Sequence, residues 1–181
     1  LVGIATAGPS YRLDIGDGAT DPANGYQLRV NAAGDYIFAL HNLPGYPSKS
    51  IVVKYDNFTP EVISIIFKLH GKTSHAAEPE NGINPAAAVS EILKIALEMS
   101  KDSAEDLGLI TPVYTVLGQP SYGISAGYAE LHFTLRTYSP ESMSSLIPEI
   151  KKRVFEIAEK NRLLPEYSVT EEFKANMNDA D

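Results

Sequence analysis

Two stretches of the chain alternate between apolar and polar side chains, the pattern of a strand with one buried face. They are residues 62–70, in the second half of which the alternation is clearest, and residues 129–137. The apolar residues that share a face are Ile65, Phe67 and Leu69 in the first stretch and Leu131, Phe133 and Leu135 in the second. Shorter strands are predicted at residues 36–40, 51–55, 111–117 and 167–173.

Two further segments repeat their apolar residues every three or four positions, as amphipathic helices do. The first begins after Asn84 and Pro85, which are good N-cap and first-turn residues, and the second begins after Ser139 and Pro140. The predicted buried stripes are Val89, Ile92, Leu93, Ala96 and Met99, and then Met143, Leu146, Ile147, Ile150, Val154, Ile157 and Ala158. Pro148 falls inside the second stripe and should kink or break that helix.

From residue 61 the predicted order is strand, helix, strand, strand, helix, strand. This is the split βαβ pattern of a ferredoxin-like, two-layer α+β sandwich, with a four-stranded antiparallel sheet and both helices on one face. Such a sheet leaves an edge exposed. Residues 111–117 are the candidate edge, with Pro112 at the start of the strand, and pairing with the same strand of a second copy predicts a homodimer.

Composition narrows the classes of function. The 181 residues carry a net charge of −8, which argues against binding to nucleic acid or to an anionic membrane surface. There is no run of about 20 apolar residues that could span a membrane. The chain has no cysteine, which excludes disulfides, thiolate metal sites and a thiol nucleophile, and which fits a cytoplasmic location. Because the chain begins with Leu1, a signal peptide stays an open question.

The candidate chemistry lies in the loop of residues 71–85, between the first long strand and the first helix. This loop carries His75, and imidazole is the side chain best suited to bind ligands or exchange protons near neutral pH. A loop held between a strand and a capped helix can present such a side chain accurately. For a histidine alone, a solvated loop residue would be the simpler interpretation.

Together with residues 35–47, which read as a strand followed by a loop containing His41, this segment resembles the zinc-dependent N-acyl-amino-acid amidohydrolases. Hippurate hydrolase, auxin-conjugate hydrolase and succinyl-diaminopimelate desuccinylase are members of that family. The resemblance implies that residues 61–173 are a lid and dimerisation domain and that residues 174–181 lead out of it. Residues 1–60 would then be an irregular lead-in and an incomplete remnant of an α/β catalytic domain. The implied reaction is metal-assisted hydrolysis of N-acyl amino acids or small peptides.

The same resemblance implies metal-binding roles for two residues. His41 stands at the position of a metal-ligating histidine, and Asp14 stands where the family has a metal-ligating glutamate. The family's general base would fall on Leu13, which cannot act as a base. A hydrolytic zinc site needs about three protein ligands and a water. We therefore expect zinc in the parent enzyme, but neither tight zinc binding nor amide hydrolysis by this chain alone.

For the lid, the resemblance implies that His75 reaches into the active site of the partner copy and binds the oxygen of the scissile group. Arg136 would hold the carboxylate of the substrate, although an ion pair with Glu130 or Glu141 is an equally good interpretation. Gly123 stands where many relatives have a substrate-contacting asparagine. His70 and His132 are interpreted as strand residues without a catalytic role.

A second hypothesis is a non-catalytic small-molecule-binding or regulatory dimer module. The same sandwich serves many ligand-binding domains, so the fold alone cannot decide between the two.

Overall fold

The computed structural model describes residues 13–14, 27–30, 38–39, 45–52, 56–102 and 107–178. The chain divides into two compact units, residues 1–52 and 53–181. In the first unit the strands β1 (Leu13–Asp14), β2 (Gln27–Val30) and β3 (Phe38–Ala39) form one small antiparallel sheet in that order. The predicted strand at residues 36–40 therefore coincides with β3, and its other residues lie outside the described part.

The second unit holds the predicted sandwich. Its elements are β4 (Asp56–Thr59), β5 (Glu61–His70), β6 (Ser74–His75), α1 (Ala86–Met99), β7 (Lys101–Asp102), β8 (Leu107–Leu117), β9 (Ile124–Ser125), β10 (Tyr128–Thr137), α2 (Pro140–Lys160), β11 (Leu164–Phe173) and β12 (Asn176–Asn178). A single 3-10 turn, Pro79–Asn81, precedes α1. The order β5, α1, β8, β10, α2, β11 confirms the split βαβ prediction.

The main sheet is antiparallel and has the order β11, β5, β10, β8. The two-residue strand β7 pairs with the start of β8 and adds a short fifth strand that the sequence pattern did not predict. The two central strands pair over their whole length, from Glu61 opposite Thr137 to His70 opposite Tyr128. β8 and β11 extend the sheet on the two sides of this uninterrupted ladder.

The hydrophobic core lies between one face of this sheet and the two helices. The predicted apolar faces of β5 and β10 are fully buried there, and Phe67 packs edge-on against Phe133 with ring centroids 6.2 Å apart. From α1 the core takes Ala88, Val89, Ile92 and Ala96, whereas Leu93 and Met99 are only half-buried at its margin. The predicted stripe of α1 is therefore confirmed, with its centre at Ile92 rather than Leu93.

Both helices begin as their capping residues predict. The side-chain oxygen of Asn84 accepts the backbone N–H of Ala86 at 2.9 Å, and the hydroxyl of Ser139 accepts the N–H of Ser142 at 3.1 Å. The expected break at Pro148 is wrong, because α2 continues through it. Pro148 and Ser144, whose carbonyl loses its usual helical partner, are both exposed, so water can replace the missing bond.

Two strand predictions need correction. Residues 51 and 52 belong to no strand and are exposed, and residues 53–55 lie outside the described part; the nearby strand is β4, which pairs with β12 instead. Apolar β-formers do not make a strand without a partner ladder. β8 begins four residues earlier than predicted, so Pro112 lies within it, at a bulge where the register against His132 and Phe133 shifts. A bulge on an edge strand is a place where a sheet tolerates proline.

Helix α2 ends in a Schellman motif that lacks the usual glycine. The N–H of Leu163 donates to the carbonyl of Ala158 at 2.8 Å, and the N–H of Arg162 donates to that of Glu159 at 2.9 Å. Arg162 therefore takes a left-handed backbone conformation, with φ of 58°. Leu163 is buried below the turn, so packing holds the strained residue in place. In the described part of the chain, neither helix is long and apolar enough to cross a membrane.

We predict that replacing Ile92 by Ala lowers the free energy of unfolding by roughly 2–5 kcal/mol, because Ile92 is fully buried in the core. The same change at half-buried Leu93 should cost less. Urea unfolding of both variants beside the parent chain measures the difference. An equal or larger loss for Leu93→Ala would show that the facing of α1 is misassigned.

Replacing Arg162 by Gly should stabilise the domain by about 0.5–1 kcal/mol, because glycine adopts the left-handed conformation without steric cost. Arg162→Ala is the matched control, since it removes the side chain but keeps the strain, and it should bring no such gain. Thermal or urea unfolding compares the two. A gain for Ala as large as that for Gly would indicate that the arginine side chain, not the backbone, is unfavourable here.

Candidate functional site

The loop that carries His75 is joined closely to the loop that precedes β10. The N–H of Gly71 donates to the carbonyl of Gly127 at 2.8 Å. A Cβ on Gly71 would lie 2.1 Å from the carbonyl oxygen of Ile83, and one on Gly127 would lie 2.4 Å from the nitrogen of Thr73. Side chains at these two positions would collide with backbone, so the approach of the loops depends on glycine.

Beyond this contact, two very short strands hold His75 in register. β6 pairs with β9 so that His75 lies opposite Ile124 and Ser74 lies opposite Ser125. The N–H of Ala76 donates to the carbonyl of Gly123 at 3.0 Å, which extends the pairing past His75. The backbone of His75 is therefore bonded to a neighbouring segment on both sides, although the side chain itself is exposed.

The imidazole of His75 is oriented by its own loop. The N–H of Ala77 donates to Nδ1 at 3.1 Å, and the N–H of Glu78 donates to the carbonyl oxygen of His75 at 2.9 Å. A backbone N–H can only donate, so Nδ1 is an acceptor, and the neutral ring must carry its proton on Nε2. The exposed ring is thus arranged as a neutral hydrogen-bond donor, which suits contact with a ligand oxygen.

The segment paired with His75 is open to solvent around Gly123. A Cβ on Gly123 would meet no heavy atom within 4 Å. Its chain neighbours Tyr122 and Ile124 are exposed, Tyr122 completely so. The structure therefore places Gly123 beside the His75 loop, through the bond to Ala76, with free space where a side chain would stand.

Arg136 lies near the opposite end of the sheet. It stands on β10 between Val62 of β5 and Leu109 of β8, and its side chain is half-buried. The alternative ion pair with Glu130 or Glu141 does not form, and among the described residues Arg136 has no hydrogen-bonding or ionic partner. A guanidinium that has no partner in this part of the chain can donate its N–H groups to the carboxylate of a ligand.

The distance between His75 and Arg136 limits what one chain can do. Arg136 lies eight positions along β10 from Tyr128, which is roughly 26 Å at about 3.3 Å per residue. The loop of His75 begins beyond the other end of that stretch, where His70 pairs with Tyr128. A single chain therefore does not bring the two predicted lid residues to one amino-acid-sized ligand.

The two predicted metal ligands lie in the other unit. Asp14 belongs to β1, where its backbone pairs with Arg29, and its side chain is outside the described part. His41 also lies outside the described residues. Within those residues no three His, Cys, Asp or Glu side chains come together as a metal ion would require. The described residues therefore do not by themselves fit a zinc ion, and metal binding through His41 and Asp14 stays a prediction.

Comparison with known families identifies the sandwich. Residues 61–162 match the family model of the peptidase dimerisation domain, and this match covers more than half of the chain. The chain belongs to this family. The match begins at the first residue of β5 and ends just after α2, so it covers most of the sandwich that carries His75 and Arg136.

Curated relatives of this dimerisation-domain chain are deacetylases. It is 28% identical over 144 residues to N-acetyldiaminopimelate deacetylase of Bacillus pumilus, a match covering 79% of the chain and 37% of the relative. It is 29% identical over 121 residues to N-acetylcysteine deacetylase of Bacillus subtilis, covering 66% of the chain and 32% of the relative. The chain thus spans about a third of the length of these relatives.

Solved structures share the fold of the dimerisation domain. A dinuclear metal-binding peptidase of the M20 family from Bacillus subtilis aligns with a TM-score of 0.60 and 19% identity, covering 77% of the chain and 34% of that structure. An aminobenzoyl-glutamate utilization protein from Klebsiella pneumoniae aligns with a TM-score of 0.61 and 18% identity, covering 75% of the chain and 34% of that structure.

On the sheet face away from the helices, the dimerisation domain carries a polar network. The carboxylate of Glu130 accepts a hydrogen bond from the hydroxyl of Tyr128 and lies against Nε2 of His132, both at 2.6 Å. These two contacts, first that of Tyr128 and then that of His132, lower the pKa of Glu130. Burial and the bond to Glu130 raise the pKa of Tyr128 to about 12. The imidazole of His132 is thus bound to a neighbouring side chain of the sheet, which agrees with its interpretation as a residue of the sheet face.

His70, at the end of β5, is also a strand residue, and its ring contacts neighbouring side chains of the sheet. Its Nε2 lies 3.1 Å from a carboxylate oxygen of Glu166, close enough for charge attraction if the ring is protonated. The contact lacks the geometry of a hydrogen bond, so Nε2 is buried without a hydrogen-bonding partner. The ring packs at 5.3 Å from that of Tyr128. The predicted partly exposed position at the strand end is confirmed.

Several residues that shape the site were not predicted from the sequence. Gly71, Gly127 and the pair Ser74 and Ser125 position the loop of His75, although none of them is a candidate by its own chemistry. The glycines mark turns in the sequence, but their close approach depends on a contact between loops more than 50 positions apart. No local pattern could have revealed it.

We predict that the network around Glu130 makes stability depend on pH under alkaline conditions. The pKa of Tyr128 rises from 10.0 to about 12 on folding, so its stabilising effect is complete below pH 10.0 and is lost as the pH rises through about 12. Tyr128→Phe keeps the ring and removes this titration. The difference in free energy of unfolding between the parent and Tyr128→Phe should shrink across that window. A constant difference would contradict the prediction.

Proposed function

We propose that residues 61–173 act as the lid and dimerisation domain of a metal-dependent amidohydrolase that cleaves N-acyl amino acids or small peptides. The family match and the deacetylase relatives support the reaction class. In this proposal two copies pair through β8, His75 acts in the active site of the partner, and Arg136 holds the substrate carboxylate. The expected cytoplasmic location of the parent protein belongs to the same proposal.

The two edges of the sheet differ in a way that favours β8 as the dimer contact. Residues 109–117 of β8 contain no charged side chain, and beyond its pairing with β7 the outer edge has no strand partner in the described part. The opposite edge strand, β11, carries Glu166, Glu171 and Glu172 and has a bulge after Val169. Charges and bulges protect an edge from pairing, so β11 is protected and β8 is not.

Helix α1 supports the same choice of edge. It packs on β8, and Leu97 near its end is largely exposed. Val113 and Tyr114 of β8 are exposed as well. In a pair related by a two-fold axis, these apolar side chains would lie near their copies and would be shielded from water.

Antiparallel pairing of β8 with itself would also solve the problem of distance. Leu109 of β8 lies opposite Arg136, whereas Leu117 lies opposite Ala129, near the His75 loop. A two-fold axis near the middle of β8 brings the Leu117 end of one copy beside the Leu109 end of the other. His75 of one copy and Arg136 of its partner would then lie at the same end of the combined sheet. The observation that carries the proposal is the register of β8, which has Arg136 at one end and the His75 loop near the other.

The residues of this chain would perform two tasks. The Nε2–H of His75 would donate to the oxygen of the scissile group, an interaction that strengthens as negative charge develops there. The guanidinium of Arg136 would bind the substrate carboxylate in a two-pronged contact and so fix its orientation. Activation of the water would depend on parts of the enzyme outside the described residues.

The dimer contact can be tested with a matched pair of substitutions. Val113→Lys places a charge on β8, at a side chain that is 56% exposed, and Val169→Lys does the same on β11, at one that is 49% exposed. We expect a homodimer in which Val113→Lys raises the dissociation constant at least tenfold, about 1.4 kcal/mol, while Val169→Lys leaves it unchanged. Sedimentation equilibrium at micromolar concentration measures both.

A monomeric parent chain in that experiment would remove the dimer and the role of His75 in the partner's active site. A dimer broken by Val169→Lys but not by Val113→Lys would place the contact on β11. In that arrangement the geometric argument that joins His75 to Arg136 of the partner would fail.

A further inference from the structure

Two serine hydroxyls, those of Ser74 and Ser125, lie in the strand pair that carries His75 and have no part in the proposed reaction. The Oγ atoms of Ser74 and Ser125 are 2.8 Å apart, and the backbone N–H of Ser74 donates to Oγ of Ser125 at 3.2 Å. The hydroxyl of Ser74 also points to the carbonyl oxygen of His75, at 3.4 Å. A consistent chain of donors therefore runs from Ser125 through Ser74 to the peptide of His75.

Space for this hydroxyl chain is provided by a third residue. A Cβ on Gly82 would lie 2.7 Å from Oγ of Ser74 and 2.8 Å from the carbonyl oxygen of Lys72. Any larger residue at position 82 would push the Ser74 hydroxyl away from its present position. The packing of the 71–83 loop therefore leaves room for the Ser74 hydroxyl only because residue 82 is glycine.

The hydroxyls matter because the backbone pairing at this point is minimal. β6 and β9 contain two residues each, and a ladder of that length fixes orientation weakly. The peptide of His75 must nevertheless be held accurately, because Ala77 can donate to Nδ1 only while the turn after His75 keeps its shape. The half-buried Ser74–Ser125 pair supplies a side-chain connection between the two segments.

We propose that Ser125 is a positioning residue for His75. Acting through Ser74, it fixes the turn in which Ala77 donates to Nδ1, and so keeps the neutral imidazole in the form that carries its proton on Nε2. The use of that proton in catalysis rests on the proposed function, but the positioning is a property of this chain alone. It can therefore be measured without a metal, a substrate or a partner.

Long-range proton–nitrogen NMR spectra of the imidazole rings report the tautomer of each histidine. In the parent chain, at a pH where the rings are neutral, His75 should show the pattern of a single tautomer with the proton on Nε2. Comparison with His75→Gln assigns its signals among the four histidines. Ser125→Ala should shift the His75 pattern toward a mixture of tautomers, and Ser125→Thr, which keeps the hydroxyl, should restore it.

Gly82→Ala perturbs the same chain from the other side and should shift His75 in the same direction as Ser125→Ala. Hydrogen exchange of the β5 and β10 amides serves as the control, and it should remain as slow in Ser125→Ala as in the parent. An unchanged His75 pattern in Ser125→Ala would overturn the proposal. So would loss of protection throughout β5 and β10, because Ser125 would then support the fold in general. Failure of the dimer or of catalysis would leave these spectra unaffected.

Discussion

The antiparallel ladder between β5 and β10 is the constraint on which the rest of the domain depends. Its ten residue pairs bury one row of apolar side chains under the helices. The same register sets Arg136 beside Val62 at one end and the His75 loop beyond His70 at the other. A shift by one residue would turn the core face toward solvent, so burial fixes this separation. If His75 and Arg136 act on one ligand, as we propose, this separation means that they must come from two copies of the chain.

The site depends on a different kind of constraint, the close approach of two loops. The ladder ends at His70, and the next contacts are made by backbone atoms that only Gly71 and Gly127 allow to come so near. These contacts lead the chain into β6, where the turn around Ala77 determines which nitrogen of His75 accepts and which donates. Close packing of the backbone and the hydrogen bond from Ala77 therefore set the chemical form in which the imidazole is presented.

Sequence patterns predicted the elements whose faces are buried by long-range packing. Leu131, Phe133 and Leu135 alternate because one face of β10 is covered, and Ile92 and Ile150 follow the helical period for the same reason. The patterns failed where a strand partner or solvent decides the local structure. Residues 51 and 52 pair with no strand in the described part of the chain, and β12, with three residues, is too short to show a pattern. Pro148 is tolerated because it lies on an exposed face of α2. His75 could be singled out from its loop in the sequence. Its tautomer, however, required the hydrogen bond from Ala77, and its distance from Arg136 required the register of the sheet.

The central claim is that His75 of one copy lies near Arg136 of the other, and it can be tested directly because the chain contains no cysteine. Tyr122→Cys, at a fully exposed position next to the His75 loop, gives a single attachment point for a nitroxide label. Labelled chains are mixed with isotope-enriched parent chains, so only contacts between copies broaden the observed amide signals. We expect broadening around Arg136 and Leu109 of the partner. Broadening centred on the partner's own 121–125 loop, or no broadening between copies, would contradict this arrangement.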